Sequence, residues 1–143
     1  MKFIDNVKVE KLEIVTDELG WSLQISDDAF KPIQTIVNRK DAIRGYYVCN
    51  YNVNIVCICG MIKLILFDMN EDSATKYDTN EFFIGEREPF LISIPPFVAF
   101  AWKCISDVGS NVVLTMKNYK QIIDPFSEDL QTEQIGFPIP YKF

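Results

Sequence analysis

A short list of side chains in this sequence has the type and spacing to do chemistry. Arg44 and Tyr47 flank the Gly45-Tyr46 pair. A guanidinium can grip a phosphate through two parallel hydrogen bonds. A phenol can act as an acid or a base only if strongly activated, since its ordinary pKa lies near 10. Cys57 and Cys59 stand two apart, half of a metal site at most, because no second cluster supplies the other ligands. They read as small core residues sharing one face of a strand. Lys63 is alone among apolar residues, which suits an edge lysine whose head reaches solvent better than a Schiff-base nucleophile. Asp68, Glu71, Asp72 and Asp78 gather carboxylates without EF-hand spacing, which fits a solvated hairpin loop. Tyr46 and Trp102 are sized either to stack on a sugar or base, or to fill a core.

Histidine is absent from all 143 residues. This removes Ser-His-Asp and Cys-His nucleophile systems and every zinc or iron site that needs imidazole. Neither a metal nor a cofactor is expected.

The elements that must hold these residues are short and β-like. Residues 7–15 alternate apolar and polar, a polar turn follows at 17–20, and residues 21–25 alternate again, which predicts a hairpin. Further strands are predicted at 43–48, 55–58, 61–67, 81–84, 90–94, 97–105 and 112–116, with a long polar loop over 68–80. A single short helix is expected at 126–134, with Ser127 as its N-cap, in an otherwise loop-like tail. Many short strands at this spacing predict an all-β chain, a jelly roll or barrel.

Composition sets the outer bounds. The chain is 48 % hydrophobic and 24 % charged, ordinary for a globular protein. It reads as a single domain over residues 1–143. With 14 basic against 20 acidic residues, the net charge is −6. That balance disfavours nucleic acid and anionic membranes as partners. The first residues mix charge with apolar side chains, unlike a signal peptide. The longest apolar run, 55–67, is broken by Gly60 and Lys63 and is too short to cross a bilayer. The expected compartment is the cytoplasm, where free cysteines are the rule.

Four segments, in order, carry a family resemblance. They are Asp17-Glu18-Leu19-Gly20-Trp21, Ile43-Arg44-Gly45-Tyr46-Tyr47, Ile92-Ser93-Ile94-Pro95-Pro96-Phe97-Val98-Ala99-Phe100 and Glu133-Gln134-Ile135-Gly136-Phe137-Pro138-Ile139-Pro140. Together they resemble the dTDP-4-dehydrorhamnose 3,5-epimerases, the RmlC-like cupins. That family carries an Asp-x-Arg-Gly-Phe turn, an Arg-Gly-Leu-His motif, an Ile-Pro-Pro-Gly-x-Ala-His segment and an Ile-Gly-Ile-x-Trp-Pro segment. The resemblance implies an RmlC-like cupin, a double-stranded β-helix (jelly-roll barrel), forming a homodimer by strand exchange. It also implies a nucleotide-sugar ligand and a place in deoxysugar and surface-polysaccharide (lipopolysaccharide, O-antigen) biosynthesis.

The same resemblance locates an active site and shows it altered. The family removes a proton beside a ketone and returns it on the other face, which needs a base, an opposed acid and enolate stabilisation. Its catalytic His position matches Tyr47, its Tyr matches Leu114 and its orienting Asp matches Thr132. Its second His is Phe100. Its clamp Arg is Leu19, and two basic strand positions are Val53 and Val56, while Arg44 is retained. The expected substrate-binding set is Arg44, Tyr47, Phe100 and Trp102, with no intact catalytic residue. Two structural alternatives stay open. Arg44 can pair with a buried carboxylate while Gly45 makes a bend, and Tyr47 and Phe100 can simply fill the barrel. In function, a non-catalytic sugar-nucleotide binder or enzyme partner stands first. The alternatives are an active epimerase or isomerase rewired around Tyr47 and Arg44, and a purely structural module.

Overall fold

The computed structural model describes residues 2–18, 20–23, 34–115 and 120–121. Among them every regular element is a strand, and no helix is long and apolar enough to cross a membrane. In chain order the strands are β1 Lys8–Lys11, β2 Ile14–Asp17, β3 Gly20–Leu23, β4 Gln34–Asn38, β5 Ile43–Val48, β6 Val53–Cys59, β7 Met61–Asp68, β8 Thr79–Gly85, β9 Phe90–Ile94, β10 Val98–Cys104, β11 Ser110–Leu114 and β12 Lys120–Gln121.

Ten of them form two five-stranded antiparallel sheets. One runs β1-β9-β6-β11-β4 and the other β12-β5-β10-β7-β8. Sequence neighbours such as β4 and β5, or β9 and β10, fall in different sheets, so the chain winds back and forth as a jelly roll. Among the described residues β2 and β3 pair only with each other, antiparallel from Ile14 opposite Leu23 to Asp17 opposite Gly20, as the alternation predicts.

Period-two alternation builds the interior. On β10, Val98, Phe100 and Trp102 point between the sheets, while Ala99 and Ala101 face outward against Tyr46, Ile65 and Phe67. From the other sheet, Ile55, Cys57, Ile92, Ile94, Val112 and Leu114 meet them. One sheet is thus buried on both faces, which explains why β7 reads as an almost unbroken apolar run.

Several expectations need correcting. The predicted strand over 7–15 is broken by Leu12 and Glu13, where the Leu12 amide donates to the Pro89 carbonyl. β4 had no counterpart in the sequence reading. Cys57 is buried but Cys59 is exposed. The register of β6 on β11 slips between them, which takes Cys59 out of the alternation at the strand's end. Lys63 lies on β7, inside the sheet, half-buried and 3.7 Å from Glu81. Asp68 is not solvated. It is 1 % exposed and accepts hydrogen bonds from Thr75 Oγ1 at 2.7 Å and the Asn70 amide at 2.9 Å, so it fastens the loop it begins. The helix expected at 126–134 lies outside the described residues.

Candidate functional site

A bulge assembles the site. Tyr47 stands opposite Phe100 and Arg44 opposite Trp102, so β5 uses three steps where β10 uses two. The extra residue falls at Gly45-Tyr46. Simple alternation puts residues 44 and 47 on opposite faces; the bulge puts both side chains on the inner one. Only glycine fits at its start. Gly45 has φ +120°, and a Cβ there would lie 2.6 Å from Ala101 Cβ and 2.8 Å from the Phe100 carbonyl oxygen.

The inner face next to the bulge is aromatic. The rings of Tyr47 and Phe100 lie 5.8 Å apart, those of Tyr47 and Trp102 5.8 Å, and those of Phe100 and Trp102 6.4 Å at an interplanar angle of 9°. These are favourable separations for ring pairs. Phe100, Trp102 and Leu114 have no exposed surface, and Tyr47 retains 8 %. Phe100 and Trp102 therefore present no surface to a ligand in this arrangement. Val53, which the resemblance matches to a basic position, also faces this interior, while Val56 faces outward against Leu12 and Leu91. Tyr46 is buried on the opposite face of the sheet from Tyr47. Leu19 and Thr132 lie outside the described residues.

Among the described residues Arg44 meets no carboxylate; its partners there are an amide and a carbonyl. Its Nε donates to Asn38 Oδ1 at 2.8 Å and its Nη2 to the Val37 carbonyl at 3.2 Å. Trp102 Nε1 donates to the same Asn38 Oδ1 at 3.1 Å. Asn38 is 1 % exposed and sits at the end of β4 in the other sheet. One amide thus ties two residues of the expected site across the seam between the sheets. Sequence reading missed Asn38 because Asn38-Arg39-Lys40-Asp41 looks like a turn. The signal that could have found it is the β-branched run Thr35-Ile36-Val37, which marks a strand leading into that turn.

At the end of the barrel where β6 turns into β7, both thiols are held above their ordinary pKa. Burial pushes Cys57 up to about 12. Cys59 is raised by its hydrogen bond to Glu86. Glu86 is held below its ordinary value, first by the Gly60 amide, which donates to Oε1 at 2.7 Å. Among the described residues, no group of three His, Cys, Asp or Glu side chains is placed to hold a metal ion.

No family model matches the sequence. A curated relative, the spore coat polysaccharide biosynthesis protein SpsL of Bacillus subtilis (strain 168), is 26 % identical over 117 residues, covering 77 % of this chain and 78 % of that protein. Among solved structures, a dTDP sugar isomerase from Desulfovibrio desulfuricans G20 superposes with a TM-score of 0.76 at 16 % identity, covering 90 % of this chain and 92 % of that one. The RmlC epimerase of Mycobacterium tuberculosis gives 0.71 at 13 %, over 82 % and 69 % of the two chains. ChmJ, a 3'-monoepimerase from Streptomyces bikiniensis solved with dTDP-quinovose, gives 0.71 at 14 %, over 83 % and 70 %. At such identities the likeness establishes the fold, an all-β RmlC-like cupin jelly roll.

Proposed function

We propose that this protein is a diverged RmlC-like cupin that binds a nucleotide-activated sugar without epimerising it. It would serve surface-polysaccharide assembly as a sugar-nucleotide binder or as the partner of an enzyme. In this reading the chain is one cupin domain, working in the cytoplasm as a homodimer, with neither a cofactor nor a nucleic-acid partner.

One observation supports the proposal: Phe100 and Leu114, which the resemblance matches to a histidine and a tyrosine of the family, are wholly buried among packed apolar groups. Epimerisation needs a base, an opposed acid and enolate stabilisation within reach of one carbon. Phe100 and Leu114 can exchange no proton and are wholly buried. Trp102 already donates its one N–H to Asn38. In their place stands an aromatic floor. Among the described residues of the expected site, Arg44 and the exposed margin of Tyr47 are the groups left to meet a ligand, with Phe100 and Trp102 supporting them from beneath. The ligand class follows the solved neighbours, which act on dTDP-sugars, and the curated relative, which serves polysaccharide biosynthesis.

The test is deuterium uptake from solvent into a dTDP-4-keto-6-deoxy sugar, alongside calorimetric binding of dTDP. Binding without protein-dependent exchange is expected. Exchange at C3 or C5 overturns the proposal. A second reading, an epimerase rewired around Tyr47 and Arg44, draws on the bulge that gives both residues the same face. Under it, Tyr47→Phe abolishes turnover. A protein that binds no dTDP at all is a purely structural module.

A further inference from the structure

We infer that Asn38 is the positioning residue of an anion site, keeping the charge of Arg44 uncompensated and aimed at a phosphate group. The inference rests on the nucleotide-sugar reading above and deepens it.

Two N–H donors, Arg44 Nε at 2.8 Å and Trp102 Nε1 at 3.1 Å, converge on one atom of Asn38. That atom must be an acceptor, which assigns it as Oδ1 and leaves Nδ2 toward the Ile36 and Ser110 carbonyls, each at 3.5 Å. The Nε donor of Arg44 is thereby occupied, and the Val37 carbonyl takes one N–H of Nη2. Among the described residues nothing holds Nη1. The guanidinium is left with its Nη1/Nη2 end, which can still make two parallel hydrogen bonds to phosphate oxygens. Arg44 is half-buried and its bond to Val37 lies at the surface, so that end reaches solvent.

The neutral amide is the informative choice. If the contact served only to fasten β5 to β4, a carboxylate would accept the same two bonds and add charge assistance. Burial alone does not explain its absence. The fold buries Asp68 to the same 1 % exposure, and among the described residues no cation pairs with it. At position 38 a carboxylate would have a guanidinium 2.8 Å away, and it would cancel the charge an anion needs. The chain also carries net charge −6, so an uncompensated inner-face cation works against the background field rather than adding to a basic surface.

Asn38→Asp separates charge from scaffold, because Asp keeps both acceptor contacts. Calorimetry with inorganic pyrophosphate and with dTDP, at low and high salt, reads the difference. The wild type is expected to bind both, more weakly as salt rises. N38D is expected to lose about ten- to a hundredfold in affinity for both, the usual worth of one charge-assisted contact. Its residual binding should be almost independent of salt, with the melting temperature held or raised. A loss of structure alone would not flatten the salt dependence. N38D that binds as tightly as the wild type overturns the inference and leaves the nucleotide-sugar reading standing. A wild type that binds neither probe overturns both. Should N38D not fold, Asn38→Ser keeps the site neutral. Salt-dependent binding by N38S that is weaker than the wild type but stronger than that of Arg44→Met supports the inference, and N38S binding as tightly as the wild type overturns it.

Discussion

Phe100→Ala tests whether the barrel interior is a packed floor or an open ligand platform. Phe100 has no exposed surface, stacks on Trp102 at 6.4 Å and leans on Tyr47 at 5.8 Å. Deleting a phenyl from such a position costs about 3–5 kcal/mol, the transfer of the lost atoms plus the cavity left behind. Part of that is the two ring contacts, about 0.5–1.5 kcal/mol each beyond area. The neighbours have little freedom to collapse. Trp102 is pinned by Asn38, and β10 is hydrogen-bonded on both sides, to β5 and β7. The upper half of the range is therefore expected. For a chain of this length that corresponds to about a 13–17 °C drop in melting temperature. Circular dichroism melts and urea unfolding, with dTDP calorimetry at a temperature where the variant stays folded, provide the assay. Affinity should change little, because the ring lies beneath the site. A loss under about 1 kcal/mol together with a large fall in dTDP affinity would refute the reasoning, since the ring would then face ligand rather than core.

Four further outcomes are expected. Gly45→Ala should destabilise by well over about 1 kcal/mol and weaken dTDP binding, because a methyl at φ +120° meets Ala101 at 2.6 Å and the bulge orienting Arg44 and Tyr47 must shift; equal melting curves would contradict this. In the native state a thiol reagent should label Cys59 and leave Cys49, Cys57 and Cys104 untouched until unfolding, as mass spectrometry of the labelled peptides would show. Glu86→Gln should speed that labelling at mildly alkaline pH, because the carboxylate raises the thiol. Glu86 itself is held below its ordinary 4.5, so it favours the folded state above that pH, and its contribution disappears as pH falls through the lower, folded-state value. Acid melts of the wild type should therefore converge on those of E86Q below pH 4.5, and a constant gap would contradict the assignment.

Most strands were legible because their signal is local. β5 and β9 fall where the alternation and β-branched content place them, at 43–48 and 90–94, and β6, β7, β8, β10 and β11 differ from expectation only at their ends. β4 was not legible. It is five residues long, leads into a charged turn, and has one neighbour, β11, distant in sequence. Arg44 and Tyr47 were visible as residue types, and so was the absence of histidine. What they touch was not. The partner of Arg44 is an amide on a strand that local pattern missed, and the shared face of Arg44 and Tyr47 depends on a slip in strand register.

Composition and local pattern were sufficient for the class of the fold: many short strands, the absence of histidine, and ordered segments that resemble those of RmlC-like barrels. These properties belong to single residues and to neighbours a few positions apart, so they can be read along the chain. Tertiary structure alone decided that Tyr47, Phe100 and Trp102 pack into a buried aromatic cluster. It also decided that Gly45 turns Arg44 inward, and that Asn38 holds the guanidinium without neutralising it. Those outcomes depend on the register between strands far apart in sequence, where a slip of one residue moves a side chain from one face of a sheet to the other.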